Sequence, residues 1–421
     1  MNTILRSNRP SRVLLLLAVY AIGTAMLAPE ASAQAACEAT QFGMSVEAAD
    51  NTAAFKKTLT TCAGKTIHIP RGTYTFSPHG FDNGMFIPDS TSIVGDGSEG
   101  QAQTVLQIAN TGNFASFLWV RDTSNIAIQD IRFEGSAYES GCARGLTYGH
   151  AIYVYSSAAS HASVENIRIN GNVFHNFNGQ SWITMNAEDR SPGMGLNSEI
   201  AVSKNTFYSD SRLSGGCAGS LGIGYPVFMV WLHGSDDSSQ GIIKNVSVAS
   251  NTFHADYVKG AVAVWSGTAR ISIQYNSIMN AGLQLPPAPG TELGRYAIAV
   301  YNTAHEKPGL WPDTIWIVGN TIVNPVSCGI YVASAKNLDI SRNKISGQAD
   351  RNDATLPKGA IALNHALNVR SVEGNELVNN YIGITVVAGD VAVKDNLITV
   401  GPGGLRTKIY RDDRSAPEIQ R

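Results

Sequence analysis

Ionisable side chains lie directly next to short apolar strands in the middle of the chain, where they could share one surface. Those that follow a strand are Glu188, Asp189, His233, Asp236, Asp237 and Glu306, and those that precede one are Lys259 and Arg295. Two carboxyl groups on either side of a glycosidic bond can hydrolyse it, one as acid and the other as base or nucleophile. A Lys or His base can instead remove the proton beside a uronate carboxyl, with charge stabilised by Arg or by carboxylate-bound Ca²⁺. These residue types leave the choice between the two reactions open.

Several of these residues also have a purely structural interpretation. Asp236 and Asp237 lie in the segment GSDDSSQG, whose composition is typical of polar turns. Glu306 stands between a His and a Lys, as in a solvated loop tip, and His233 could bond backbone groups at the end of its strand. Their roles therefore depend on the scaffold that positions them.

An internal repeat predicts that scaffold. Each unit has three short strands, and an Asn follows one of them, at Asn172, Asn205, Asn251, Asn276, Asn320, Asn343, Asn375 and Asn396. Such a unit cannot bury its apolar face alone, so the repeat predicts coils stacked about 4.8 Å apart around a continuous core. Each Asn is expected to adopt the left-handed backbone of a tight turn and to bond the equivalent Asn of the next coil. One unit differs, with Ile131 in the Asn position.

A capping segment precedes the repeat. Asp50, Asn51 and Thr52 predict the start of a helix that runs to about Thr61, and KTIHIPRGTYTF at 65–76 predicts strands. With the Asn repeat, this segment resembles the pectin-lyase-like superfamily. The resemblance implies an all-β fold, a right-handed single-stranded parallel β-helix over residues 34–400 with about ten coils and a short N-terminal capping helix. The composition of residues 401–421 predicts a disordered tail.

The resemblance also implies where a substrate would bind, because in this family the sheet built from AIYVY-type strands usually floors the groove. Alternation in that strand places Ile152 and Val154 inside, and the same phase would place Phe228 and Val230 inside. The matching outward positions would carry Tyr155, Asn186, Trp231, Trp265 and Tyr301. Such a ladder is either covered by inserted loops or used to stack sugar rings. The aromatic side chains favour neutral or mixed sugars, and hence hydrolysis or glycosyl transfer.

Inserted segments flank these strands on both sides and would wall a groove. Matching positions on adjacent coils are about 5 Å apart and on alternate coils about 10 Å apart. Glu188 or Asp189 could therefore face Asp236 or Asp237 across a glycosidic bond.

The first 33 residues predict an export signal. Three arginines precede an apolar stretch too short to span a bilayer, and Ala31-Ser32-Ala33 fits a cleavage site. Cleavage there removes three Arg and one Glu, which leaves 28 basic and 32 acidic residues and a net charge of −4. A secreted or periplasmic protein is expected, and the charge argues against a nucleic-acid or membrane partner.

An oxidising compartment would permit disulfides among the five cysteines. Cys37 with Cys62 would close the N-terminal cap, and Cys142 with Cys217 would bridge two Gly-rich loops. Cys328 is expected to be a buried free thiol.

Together these observations predict an exported enzyme that cleaves glycosidic bonds of a polysaccharide or oligosaccharide, as a glycoside hydrolase or a polysaccharide lyase. No cofactor is required for hydrolysis, and Ca²⁺ would serve a lyase. A non-catalytic glycan-binding or structural surface protein is the alternative. Binding that needs Trp231 and Trp265 but yields no product would favour that alternative.

Overall fold

Three parallel β-sheets, each built from one strand per repeat unit, form the fold. A computed structural model describes residues 37–77, 84–109, 116–135, 149–156, 163–177, 181–187, 196–210, 228–234, 242–284, 295–302, 308–348, 359–364, 366, 368–387, 391–401 and 409–412. Sheet A contains β1 Cys37–Glu38, β2 Thr66–Ile69, β5 Ser92–Gly95, β8 Ile126–Gln129, β11 Ser163–Asn170, β14 Leu196–Ser203, β17 Ile242–Ala249, β20 Thr268–Gln274, β23 Asp313–Val318, β26 Lys336–Ser341, β29 Ser371–Glu373 and β32 Val393–Lys394.

Sheets B and C complete each coil. Sheet B contains β3 Gly72–Phe76, β6 Thr104–Ile108, β9 Arg132–Glu134, β12 Val173–His175, β15 Thr206–Tyr208, β18 Thr252–His254, β21 Ser277–Met279, β24 Thr321–Val323, β27 Lys344–Ser346, β30 Glu376–Asn380 and β33 Leu397–Val400. Sheet C contains β4 Met85–Phe86, β7 Ser116–Arg121, β10 His150–Tyr155, β13 Ser181–Asn186, β16 Phe228–His233, β19 Gly260–Val264, β22 Tyr296–Tyr301, β25 Cys328–Ala333, β28 Gly359–Asn364, β31 Ile384–Val387 and β34 Ile409–Asp412. The chain visits A, B and C in turn, and equivalent strands pair in parallel. This arrangement confirms the predicted parallel β-helix, with about eleven coils in the described part of the chain.

The predicted capping helix is present as α1, Thr52–Thr61. Phe55 on its inner face is fully buried and meets the Phe76 ring at 5.7 Å. Asp50 Oδ1 accepts a hydrogen bond from the Thr52 backbone N–H at 2.8 Å, which satisfies one of the free N–H groups of the first turn. The helix therefore closes the apolar interior at the first coil. Two short 3₁₀ helices span Ala39–Phe42 and Pro308–Leu310.

The interior is a stack of apolar side chains from successive coils. The rings of Phe133, Phe174, Phe207 and Phe253 follow one another at 5.0, 4.8 and 4.7 Å. These spacings match the distance between paired strands, so each ring packs on its counterpart in the next coil. Isoleucine or leucine takes the same place in later coils, and all are fully buried: Ile278, Ile322, Ile345 and Leu377.

The predicted Asn ladder is confirmed. From Asn172 to Asn396, each side-chain Nδ2 donates to Oδ1 of the next Asn at 2.8–3.1 Å. The same Oδ1 also accepts the backbone N–H of the preceding Asn, as Asn205 does from Asn172 at 2.9 Å. The ladder thus satisfies buried polar groups at the turns between sheets A and B from Asn172 to Asn396.

The left-handed residue of that turn is not the Asn, which corrects the expectation. The positive φ falls on the residue before it, for example Lys204 (55°), Ser250 (57°) and Arg342 (56°). The reason is that the Asn backbone and side chain both bond one neighbouring Asn, so the preceding residue makes the bend. The turn at Ile131 is the same, since Asp130 has φ 56° and the Ile131 N–H donates to Asn172 Oδ1 at 3.1 Å.

Two predictions about the chain ends have different outcomes. Cys37 and Cys62 form the predicted disulfide, and Cys328 is a buried free thiol. The tail prediction is wrong for Ile409–Asp412, because this segment pairs with Ile384–Val387 as the last strand of sheet C. Parallel hydrogen bonds to an existing edge order a segment whose composition alone gives no strand signal. Residues 1–33, Cys142, Cys217 and tail residues 402–408 and 413–421 lie outside the described residues. Within those residues, no helix is long and apolar enough to cross a membrane.

Candidate functional site

The outer face of sheet C carries most of the predicted substrate-binding residues in one row. Tyr155 pairs with Asn186, and Asn186 pairs with His233 on the next coil. Trp265 continues the row, since its backbone N–H donates to the Leu232 carbonyl at 2.8 Å. Tyr301 follows Val300, which pairs with Val264. The row is therefore as predicted except at one coil.

Trp231 is that exception. It pairs with Thr184 and Ala263, two residues earlier along the strand, and His233 occupies the place that was expected for Trp231. The shift of Trp231 by two residues preserves the alternation of inward and outward side chains, so a period of two cannot reveal it. Phe228 is a separate correction: it belongs to the outer apolar cluster, whereas Met229 and Val230 are both interior, so strict alternation fails at the start of β16.

Ring contacts join four of these side chains. The Trp265 ring meets Trp231 at 4.5 Å and 72°, His233 at 4.9 Å and 87°, and Tyr301 at 4.8 Å and 63°. These are edge-to-face contacts, which orient the rings and hold them rigid. Trp231 and Tyr301 are nearly buried, whereas Trp265 and His233 are half-buried. The face therefore presents mainly Trp265 and His233 to a ligand.

The other two members of the row have separate partners. Asn186 is buried and donates from Nδ2 to the Tyr153 hydroxyl at 2.8 Å. The half-buried Tyr155 ring lies under the Arg121 guanidinium, whose Cζ is 5.8 Å from the ring centroid. This contact is a weak cation–π interaction at a partly exposed position.

A buried histidine, His150, is the first residue of strand β10 in sheet C. His150 is 1% exposed, and its Nδ1 lies 2.6 Å from the Ser181 carbonyl oxygen and 3.0 Å from Thr184 Oγ1. Burial lowers the pKa of His150 to about 4, although the bond to Ser181 favours the protonated ring. The imidazole is therefore neutral at physiological pH.

Lys259 and Arg295 precede the adjacent strands β19 and β22, and each is only 5% exposed. Arg295 Nη1 donates to the Gly282 carbonyl at 3.3 Å, and its side chain packs so closely that a Cβ on Gly282 would meet Arg295 Cδ at 2.6 Å. Gly282 also has φ +73°, which favours glycine. The Arg295 side chain thus packs against a turn, and a catalytic role for either cation stays a prediction.

The remaining predicted catalytic residues lie outside the described residues; they are Glu188, Asp189, Asp236, Asp237 and Glu306. The calcium ligands that elimination would need fall on the same carboxylates. Across the described ranges, no three His, Cys, Asp or Glu side chains are grouped to hold a metal ion. The calcium site stays a prediction.

A second candidate site lies at the C-terminal ends of β15 and β18 in sheet B. An open cleft of about 440 Å³ is lined by Thr206, Tyr208, Ser209, Asp210, His254, Asp256, Tyr257 and Gln284. Its volume is in the range of small-ligand pockets. The lining combines two carboxylates, two tyrosine rings and several hydroxyl or amide groups, which is a composition suited to a polar, ring-shaped ligand.

The two carboxylates occupy equivalent places on neighbouring coils. Tyr208 pairs with His254, and each aspartate follows two residues later, Asp210 on one coil and Asp256 on the next. Ser209 joins the two turns, since its hydroxyl donates to the His254 carbonyl at 3.2 Å and accepts from the Tyr257 N–H at 3.1 Å.

A charged network holds Asp210. His175 Nε2 lies 2.9 Å from Asp210 Oδ1, and His175 Nδ1 lies 2.7 Å from Glu134 Oε2. Asn176 Nδ2 donates to the same Asp210 oxygen at 2.7 Å. The His175 ring also stacks on Tyr208 at 4.1 Å. With a carboxylate at each ring nitrogen, His175 is suited to carry a positive charge.

The pKa values in this cleft move in opposite directions. Burial lowers the pKa of His175, but its bonds to Glu134 and Asp210 outweigh burial and leave it raised. Burial alone would raise the pKa of Asp210, whereas the Asn176 and His175 bonds leave it lowered. For Asp256, burial raises the pKa against a weaker opposing bond from Asn280. Two nearby carboxyl groups with diverging pKa values are characteristic of acid–base sites.

Most of this cleft was not predicted from the sequence, although the sequence contains a signal for it. The residue after the buried Phe is polar in three successive units, in Phe174-His175, Phe207-Tyr208 and Phe253-His254. These positions form one outward column in sheet B because the units pair in register.

Comparisons with known proteins agree on the fold. No protein-family model matches the chain, and no curated protein matches its sequence. The Escherichia coli bacteriophage HK620 tailspike, solved with a hexasaccharide, matches with a TM-score of 0.58 and 14% identity over 90% of this chain and 65% of the tailspike chain. The A-module of mannuronan C-5 epimerase AlgE4 from Azotobacter vinelandii matches with a TM-score of 0.57 and 15% identity over 89% of this chain and 97% of that one.

Endo-xylogalacturonan hydrolase from Aspergillus tubingensis gives a TM-score of 0.51 and 12% identity, over 90% of this chain and 99% of that one. At these identities the likeness concerns the fold, and it covers nearly the whole chain. Together with the three parallel sheets, it shows that the chain has the right-handed parallel β-helix fold.

Proposed function

We propose that the protein binds a polysaccharide or oligosaccharide over the outer face of sheet C and cleaves its glycosidic bonds, by hydrolysis or elimination. The observation that carries this proposal is the rigid ring row of His233, Trp265 and Tyr301 on three consecutive coils. The C–H faces of sugars pack on such rings, and the coil spacing repeats along one direction as sugar units do.

The fold supports a carbohydrate ligand by analogy. Solved proteins of the same fold are named for mannuronan and xylogalacturonan, and a third holds a hexasaccharide. The analogy supports the ligand class and leaves the sugar and the linkage to experiment.

Export fits the same proposal, because a polysaccharide substrate would lie outside the cell. The predicted signal at residues 1–33 and the Cys37–Cys62 disulfide both suit a secreted or periplasmic protein.

A panel of neutral and uronate polysaccharides tests the proposal, with new reducing ends and the absorbance of unsaturated uronates recorded together. Reducing ends alone indicate hydrolysis, and reducing ends with that absorbance indicate elimination. Trp265→Ala is expected to raise KM about tenfold, the equivalent of about 1.4 kcal/mol of stacking. Trp316→Ala is the matched control, because Trp316 lies half-buried on sheet A, away from this face. Absence of any product would overturn the enzymatic proposal.

One observation favours a second candidate, a glycan-binding protein without activity. Among the described candidates for catalysis, only His233 is more than slightly exposed, since Lys259 and Arg295 are buried. That arrangement suits binding better than chemistry on this face. Glycan binding that Trp265→Ala weakens, without any product, would establish it.

A further inference from the structure

The cleft at the C-terminal ends of β15 and β18 contains a pair of accessible carboxylates, which the described part of the sheet C face does not have. The Asp210 side chain is 62% exposed and Asp256 is half-buried, and both line the same cavity. Equivalent backbone positions on adjacent coils are about 5 Å apart along the helix axis. The carboxyl groups of glycosidases with a covalent intermediate are about 5–5.5 Å apart, so side chains placed on adjacent coils suit that reaction.

We propose that Asp256 and Asp210 form the catalytic pair of a glycoside hydrolase, with Asp256 as proton donor and Asp210 as nucleophile. This inference rests on the proposed function, glycosidic bond cleavage, and assigns the cleavage step to this cleft, whereas the sheet C face binds the carbohydrate. It adds the catalytic pair, the reaction type and the substrate class.

Asp256 has the surroundings of a proton donor. Its half-buried carboxyl receives one side-chain hydrogen bond among the described residues, from Asn280 Nδ2 to Oδ1 at 3.1 Å. Burial raises its pKa, so the carboxyl keeps its proton to a higher pH than an exposed aspartate. Oδ2 can therefore carry the proton into the cleft.

Asp210 has the surroundings of a nucleophile. In the described part of the chain, His175 and Asn176 both bond its Oδ1, which lowers its pKa and keeps it ionised. The two bonds also orient the carboxylate, so that Oδ2 can approach the anomeric carbon.

The reaction balances without a cofactor. The Asp256 proton passes to the glycosidic oxygen as its bond to the anomeric carbon breaks, and an Asp210 oxygen forms a new bond to that carbon. Water then attacks the same carbon and gives a proton back to Asp256, while the bond to Asp210 breaks. Both carboxyl groups return to their starting states, and the product keeps the anomeric configuration.

The charges of the cleft select a neutral sugar. Asp210 and Asp256 both line the cleft. In the described part of the chain, Arg132 and His175 are already paired with Glu134 or Asp210, and His254 is the basic side chain on the lining. A uronate carboxylate would meet repulsion from the two aspartates. Neutral pyranosides can instead pack on Tyr208 or Tyr257 and donate hydroxyl hydrogen bonds to the carboxylates.

The test compares two pairs of isosteric variants on a neutral polysaccharide that the protein cleaves. Asp210→Asn and Asp256→Asn are each expected to lower kcat about 10³-fold with an unchanged Tm. Asp313→Asn and Asp339→Asn, which change half-buried carboxylates on sheet A, are expected to keep turnover. Full activity of either cleft variant would overturn the inference, as would a loss of turnover in the second pair of variants alone. Neither result would contradict the proposed cleavage of glycosidic bonds.

The wild-type protein provides an independent reading that does not depend on how a variant folds. NMR of the first products is expected to show retained anomeric configuration. An inverted product or an unsaturated uronate would overturn the assignment. Absence of all product would instead contradict the proposed function, so the two failures are distinguishable.

Discussion

His175 Nε2 lies 2.9 Å from Asp210 Oδ1, across the boundary between two adjacent coils. The other ring nitrogen of His175 meets Glu134, so the imidazole is held between two carboxylates. This relationship explains why the pKa of His175 is raised despite its burial and why that of Asp210 is lowered.

Removal of the His175 charge should change the pH dependence of turnover. In His175→Gln the pKa of Asp210 is expected to rise. As the pH falls, the nucleophile is therefore protonated, and so inactivated, at a higher pH than in the wild type. The acidic limb of kcat/KM against pH is expected to move up by about one unit. His68→Gln is the matched control, because His68 is also held between two carboxylates, Glu38 and Asp96. An unmoved limb in His175→Gln would mean that His175 is merely structural.

The Asn ladder should be most sensitive to substitution at its centre. Asn251 Nδ2 donates to Asn276 Oδ1 and to the Val202 carbonyl, and its Oδ1 accepts the Asn205 N–H. Asn251→Ala leaves these buried groups without partners and is expected to cost about 3 kcal/mol or more.

Asn396→Ala serves as the comparison within the same ladder. Asn396 is at the C-terminal end, where its bonds are only part-buried, and a cost of about 1 kcal/mol is expected. Urea unfolding measures the free energy of unfolding of both variants. If Asn251→Ala and Asn396→Ala lost the same amount, the contribution of a ladder Asn would not depend on its burial.

The buried His150 should destabilise the fold in acid. Its folded-state pKa of about 4 lies below the ordinary 6.5, so the unfolded chain binds more protons between these values. The free energy of unfolding therefore falls as the pH drops from 6.5 to 4, by about 3 kcal/mol from this residue. In urea unfolding between pH 6.5 and 4, the free energy of unfolding of His150→Asn should fall less steeply than that of the wild type. Parallel curves would show that His150 does not titrate on unfolding.

The disulfide should stabilise the first coils. Cys37 and Cys62 close a loop with a sequence separation of 25, for which loop-closure entropy predicts about 3 kcal/mol. The double variant Cys37→Ser/Cys62→Ser is expected to show a lower Tm. Cys328→Ser is the comparison, because Cys328 is outside any disulfide. A larger loss in Cys328→Ser would point to packing rather than cross-linking.

The stacked-coil fold was predicted from local sequence patterns. The recurring Asn, the alternating strands and the capped helix each depend on neighbours close in sequence or on the same position one unit later. Stacked identical units satisfy all of them at once, which is why the sheets, the Asn ladder and α1 agree with the sequence analysis. The position of Trp265 and Tyr301 in one outward row follows from the same logic.

The sequence by itself thus determined the stacked-coil fold, because each unit carries the same apolar faces and the same Asn turn. Only the tertiary structure decided the register of β16, since a shift of two residues moves His233 into the row and leaves the alternation unchanged. It also decided the cleft, because the partners of Asp210 lie 34 or more residues away in sequence and meet only when coils stack. A side chain's pKa depends on such neighbours in space, and no pattern along the chain contains them.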